Sequence, residues 1–202
     1  MNTQDGTVFL IDDDASVRDA LTLLLSLKGL STRPFASAES FIEAYEPERP
    51  GCVLTDLRMP GMTGLELQAA LASRHIEVPL VVLTAHGDVA TARAALKNGA
   101  FDFLEKPVDD ALLVEVLNKA LRADQERRAA SSSRSAADAR LERLTARERE
   151  ILGLLAAGHQ NREVAAQLGI SPRTVEVHKA RIMEKLDCHS LADLNRINPT
   201  PS

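Results

Sequence analysis

Only two cysteines, Cys52 and Cys188, occur in this 202-residue sequence, with no ligand spacing between them and no His-x-x-x-His pair anywhere. A disulfide framework and a Cys/His zinc site are therefore excluded, and the pattern fits a reduced compartment. No apolar run approaches the roughly 18 residues of a membrane span, and the N-terminus lacks a basic stretch leading into an apolar one. A soluble, cytoplasmic protein without membrane association is the expectation. Positive charge is scarce in the front of the chain: residues 1–121 hold ten Lys/Arg against 18 Asp/Glu, net −8. The remaining 81 residues hold 14 against 11, net +3. An acidic front suggests a cation-binding module, and a mildly basic back suggests one that tolerates a polyanion.

What is present in the front half is alternation. Thr7 to Ile11 (TVFLI) is a continuous apolar, β-branched run that stops at Asp12, Asp13 and Asp14. Similar short runs reach Phe35, Asp56, Thr84 and Glu105, and each reads as a strand buried on both faces. Between them lie amphipathic segments: Val17, Ala20, Leu21, Leu24 and Leu25 form one helical stripe, closed by Gly29. Ser37 caps a second helix, Gly64 to Ser73 spans a third, Asp88 caps a fourth, and a fifth starts near Asp109. Five such strands with helical crossovers describe a doubly wound, five-stranded parallel α/β sheet of flavodoxin-like type. Ligands of such sheets sit beyond the carboxyl ends of the strands, where Asp12, Asp13, Asp56, Thr84 and Lys106 all fall.

Three crowded carboxylates are costly unless a cation joins them, and Mg²⁺ suits a few carboxylates with retained waters. Lys106 adds an ammonium and Thr84 a hydroxyl. The set is what stabilises a phosphoryl group moving onto an aspartate nucleophile, with Asp56 as that nucleophile. Ile11-Asp12-Asp13-Asp14, Thr55-Asp56-Leu57-Arg58-Met59-Pro60-Gly61, Thr84-Ala85-His86-Gly87 and Lys106-Pro107 together resemble the receiver domain of two-component response regulators. That resemblance covers residues 6 to about 121. It implies that Asp56 accepts phosphate from a sensor histidine kinase. It implies further that Asp13, Asp56 and the backbone carbonyl of Arg58 hold Mg²⁺, assisted by Asp12, and that Lys106 and Thr84 engage the phosphoryl oxygens. Phe103, three residues before the lysine, would change rotamer together with Thr84. His86 reads as a polar loop residue.

From 122 to 140 the composition turns to Ala, Arg, Ser, Asp and Glu, which marks a linker. Its Ala, Arg, Gln and Glu can continue the preceding helix, while Ser131-Ser132-Ser133 favours an interruption. Residues 141–202 are patterned as four helices. Thr145 with Glu148 forms a capping box, Gly158 closes that helix, Asn161 caps a second, and Ser171-Pro172 opens a third that runs to Leu186. Ser190 to Ile197 is the fourth.

Two helices joined by the tight turn Gly169-Ile170-Ser171 make a helix-turn-helix, whose second member enters the DNA major groove. On it Val175, His178, Ile182 and Leu186 share the core stripe. Arg173, Glu176, Val177, Ala180 and Arg181 lie opposite, facing base edges. Thr174, Lys179, Arg181 and Lys185 on the flanks suit phosphates. Leu144 to Leu152, Ala165 to Ser171 and the run from Thr174 to Leu186 resemble the LuxR-type DNA-binding domain, and the run at 171–178 is similar to the FixJ-like group. That resemblance places base readout on Glu176, Val177 and Ala180, and dimerisation on DNA through Leu191 and Leu194.

The expected protein is thus a phosphorylation-switched transcription factor rather than an enzyme. Its expected partners are a sensor histidine kinase, double-stranded DNA, RNA polymerase and, once phosphorylated, a second copy of itself. The receiver surface over residues 88–121, with Arg93 and Lys97 facing Asp109, Asp110 or Glu115 across a two-fold, is where that second copy would bind. A phosphoaspartyl hydrolase would use the same carboxylates, but no substrate-binding insertion or second catalytic acid is visible. A phosphorylation-independent scaffold would lack Asp56 or Lys106.

Overall fold

The computed structural model describes residues 6–85 and 89–188. Its elements run β1 (Thr7–Ile11), α1 (Ala15–Leu27), β2 (Ser31–Phe35), α2 (Ala38–Ala44), β3 (Gly51–Asp56), α3 (Gly64–Ser73), β4 (Leu80–Thr84), α4 (Val89–Lys97), β5 (Asp102–Glu105), α5 (Asp110–Glu142), α6 (Ala146–Ala156), α7 (Asn161–Leu168) and α8 (Pro172–Leu186). The helix expected over Ser190 to Ile197, the Asp88 cap and His86 lie outside the described residues.

The five strands pair in parallel in the order β2-β1-β3-β4-β5. Order reverses between β1 and β3, which opens a crevice at their carboxyl ends. The register sets Ile11 beside Thr55, Asp56 beside Leu83 and Thr84 beside Glu105. Strand ends thus finish level, and residues just past them share one rim.

Alternation along each strand divides its side chains between two cores. Phe9, Ile11, Val53 and Val82 join Phe41, Leu67, Leu71 and Ala95, so α2, α3 and α4 cover one face. Val8, Leu10, Leu54, Val81 and Leu83 join Leu25, Leu113, Leu117 and Leu121, so α1 and α5 cover the other. Gly51 opens β3 at a point with no space for a side chain, since a Cβ there would stand 2.2 Å from the Thr7 carbonyl oxygen.

The chain divides into two compact units, Met1–Arg128 and Ala129–Ser202. Helix α5 continues through 122–140 and takes the three serines into its interior. Residues 129–136 are exposed. In the second unit Ile151, Leu152, Leu155, Val164, Ala165, Val175, Ile182 and Leu186 form a core of their own. Thr145 caps α6, with Glu148 completing the box, and Ser171 caps α8 with Pro172 in its first turn. Gln160, rather than Asn161, stands at the N-cap of α7, where its N–H donates to Glu163 at 2.7 Å. Gly169 ends α7 at φ 65°, a left-handed conformation that glycine adopts without steric cost, and so makes the sharp turn into α8.

Candidate functional site

The rim of the sheet gathers Asp12, Asp56 and Lys106. Lys106 follows β5 directly and its Nζ lies 3.0 Å from Asp12 Oδ2 and 2.9 Å from Asp56 Oδ1. Asp12 is 4% exposed, and the Asp56 side chain is 13% exposed. Two carboxylates this close would repel one another, and the ammonium between them offsets that repulsion. Burial pulls the Lys106 pKa down, but its hydrogen bonds to Asp56 and Asp12 more than compensate, so it is held above its ordinary value. The group is a cation throughout the neutral range.

Backbone donors fix the remaining oxygens. Arg58 N–H donates to Asp56 Oδ2 at 2.9 Å, and Asp14 N–H donates to Asp12 Oδ1 at 2.9 Å. The Asp14 carboxylate in turn caps α1 by accepting from Ser16 N–H at 2.8 Å. Arg18 on α1 donates from Nη1 to the Asp12 carbonyl at 2.7 Å, a contact that helical periodicity does not reveal.

Thr84 is buried at the end of β4, and its carbonyl accepts from Lys106 N–H at 2.7 Å. Phe103 is partly buried against the α2–α4 core. Asp13 is exposed on the turn after β1. Among the described residues no three His, Cys, Asp or Glu side chains stand close enough to form a ready-made metal site. The carboxylate oxygens of Asp12 and Asp56 are donors of the kind a hard divalent cation prefers.

On α8, Val175, Ile182 and Leu186 are buried, whereas Arg173, Glu176, Val177, Ala180 and Arg181 are exposed. Val177 is 46% exposed, an apolar side chain left open between charged neighbours. His178 is half-buried on the core side. Thr174 shares a hydroxyl contact of 2.8 Å with Ser171, and Lys179 is half-buried. The Lys185 ammonium lies 2.6 Å from Glu148 Oε2 on α6. The capping box made Glu148 legible, but its partner is 37 residues away and nothing local announces it. Arg147, also in the first turn of α6, donates to the Leu168 carbonyl at the end of α7, 2.8 Å away. One turn of α6 therefore grips both helices of the helix-turn-helix.

Comparison with known proteins accounts for both halves. The "Response regulator receiver domain" family matches residues 8–118, and "Bacterial regulatory proteins, luxR family" matches residues 142–197. This chain is a response regulator with a LuxR-type DNA-binding domain. It is 43% identical to the transcriptional regulatory protein FixJ of Azorhizobium caulinodans, over 94% of this chain and 90% of that protein. It is also 43% identical to the transcriptional regulatory protein TdiR of Thauera aromatica, over 94% and 83%. Among solved structures, the response regulator StyR matches with a TM-score of 0.89 at 39% identity, covering 98% of this chain and 100% of that one. Full-length FixJ from B. japonicum matches with a TM-score of 0.59 at 39% identity, covering 95% of each. The receiver fold and the FixJ-like class of transcriptional regulators expected from sequence are thereby established. The relatives are transcription regulators, not enzymes.

Proposed function

We propose that Asp56 is the phosphoacceptor of a two-component pathway and that its phosphorylation promotes dimerisation and sequence-specific DNA binding. The observation that carries this reading is the Lys106 ammonium held between Asp12 and Asp56 at the carboxyl ends of the strands. In the proposed step an Asp56 carboxylate oxygen attacks the phosphorus of a histidine-bound phosphoryl group. The phosphorus–nitrogen bond breaks, an acyl phosphate forms, and the imidazole leaves with the electron pair. Lys106 then exchanges part of its carboxylate contact for a phosphoryl oxygen, and the Thr84 hydroxyl donates to another. Asp12, Asp13, Asp56 and the Arg58 carbonyl would hold Mg²⁺, which neutralises the oxygens of the transferring group. Phe103 moves with Thr84, and the added charge shifts an existing equilibrium toward the active form.

In the same reading Glu176, Val177 and Ala180 face base edges, with Glu176 accepting from cytosine and Val177 touching a thymine methyl. Arg173 lies on the same base-facing side, and Thr174, Lys179 and Arg181 meet phosphates. Lys185 acts through Glu148, by positioning α8. The receiver is proposed to occupy residues 1–121 and the DNA-binding domain 141–202, in a cytoplasmic protein. A sensor histidine kinase, RNA polymerase and a second copy of this chain complete the proposed partners.

The test compares wild type with Asp56→Asn, with Mg²⁺ and beryllofluoride present or absent. Wild type alone is expected to dimerise more strongly and bind DNA more tightly when the phosphoryl mimic is added. An equal response in Asp56→Asn, or none in either protein, removes Asp56 as the switch.

A further inference from the structure

Asp124 stands in the stretch that composition assigns to a linker, yet it is 0% exposed and belongs to the first compact unit. Its Oδ2 accepts from Gly51 N–H, the first residue of β3, at 3.0 Å. Arg127 Nη2 donates to Oδ1 at 2.5 Å and Arg128 Nε to Oδ2 at 2.6 Å. Arg128 reaches past the carboxylate to the carbonyls of Pro47 at 2.8 Å and Arg49 at 3.1 Å. Arg127 Nη1 lies 3.3 Å from Glu77 on the segment before β4.

Pairs at i,i+3 and i,i+4 form on any helix and on a surface contribute little. These differ because Asp124 also holds the backbone N–H of Gly51 and Arg128 the carbonyls of the loop that leads into β3, and because the shared carboxylate is fully buried. Buried charges of this kind add little net stability compared with an apolar substitute, but they accept only one arrangement. Every donor here must return to the same place. The tight packing at Gly51, where a Cβ would also come within 2.7 Å of the Phe9 ring, leaves that strand end no slack.

Beyond Arg128 the situation changes abruptly, since residues 129–136 are exposed. A helical stretch with no buried face depends on its neighbours for order. β3 therefore carries Asp56 at its C-terminal end and, at its N-terminal end, grips the middle of α5, where the linker portion of that helix begins.

We propose that Asp124, with Arg127 and Arg128, anchors the linker helix to β3, and that this fixed base is what lets the receiver's phosphorylation state control DNA binding. Asp124 is thus a positioning residue for output, far from the phosphoryl chemistry, and its role rests on the reading of Asp56 as phosphoacceptor. The rigid receiver ends at Arg128, seven residues further than the apolar pattern of α5 indicates.

The test uses full-length wild type and Asp124→Asn, which keeps the shape and one acceptor oxygen but removes the charge. Beryllofluoride loading at Asp56 should be the same in both. The gain in DNA affinity that loading produces in wild type should fall close to one-fold in the variant, and trypsin cleavage after Arg127 and Arg128 should quicken about tenfold as the anchor opens. A variant that loads normally and keeps the full gain overturns the proposal. If wild type itself shows no gain, the failure belongs to the Asp56 reading, and hydrogen exchange of wild type decides the anchor separately. The amides of residues 122–128 and Gly51 should then exchange as slowly as the receiver core, and more slowly than residues 129–136. Exchange of residues 122–128 at the rate of 129–136 overturns the anchor, and this measurement also serves if Asp124→Asn does not fold.

Discussion

One carboxylate, Glu148, closes the capping box of α6 and holds Lys185 of the recognition helix while 3% exposed. The hydrogen bond from Lys185, followed by that from the Thr145 backbone, lowers its pKa from 4.5 to about 2. A depressed carboxylate adds stability that is fully present above its unfolded value and disappears as pH falls through its folded value. Unfolding of the DNA-binding unit, followed by circular dichroism from pH 7 to pH 2, should therefore show stability declining from about pH 5 downward. Glu148→Gln should be less stable at pH 7, by about 1–3 kcal/mol, and should have a flatter acid slope. An unchanged slope would mean that Glu148 titrates alike in the folded and unfolded states.

At the scale of elements, α5 is the helix whose two ends have different support. Its receiver portion buries Leu113, Val116, Leu117, Ala120 and Leu121, whereas residues 129–136 bury no side chain. Serine is roughly 0.5 kcal/mol less favourable than alanine in a helix interior. Changing Ser131, Ser132 and Ser133 together to Ala should slow amide exchange over 129–136 severalfold, and changing them to Gly should speed cleavage after Arg134. Indifference to both sets would mean that tertiary contacts, not local propensity, hold this stretch. Four strands were legible in the sequence because each is a short apolar run ended by Asp, Thr or Glu, while β2 (STRPF), buried on neither face along its length, had only its Phe35 to mark it. Three helix starts were legible because Ser37, Thr145 and Ser171 cap them. The rim of Asp12, Asp56 and Lys106 was legible for the same reason, since parallel strands bring their ends together. The fastening of the middle of α5 was not legible: it is a hydrogen bond between Asp124 and Gly51, 73 residues apart, and no local pattern encodes that pairing. The pairing of Lys185 with Glu148 was hidden on similar grounds, because helical periodicity says which side a residue faces and not which distant carboxylate waits there.

Across the whole molecule the net charge of −5 divides into −8 over residues 1–121 and only +3 over residues 122–202, so little positive excess is available for DNA. Affinity must come from the few cations that reach the duplex. Each phosphate neutralised contributes about −0.9 to the slope of log K against log salt. Arg181 is exposed on α8 and is one of the residues set against phosphates, so Arg181→Ala should make the slope shallower by about one for each α8 bound. Lys185 separates this account from a simple count of basic residues. Its ammonium is engaged by Glu148, so Lys185→Met should weaken binding through a less firmly held α8 while leaving the salt slope as it is in wild type. Titrating a labelled operator duplex with wild type and both variants at several salt concentrations gives all three slopes in one experiment. A slope for Lys185→Met as shallow as that for Arg181→Ala would show that Lys185 leaves Glu148 for a phosphate on binding, so that α8 is held differently on DNA than in the free protein.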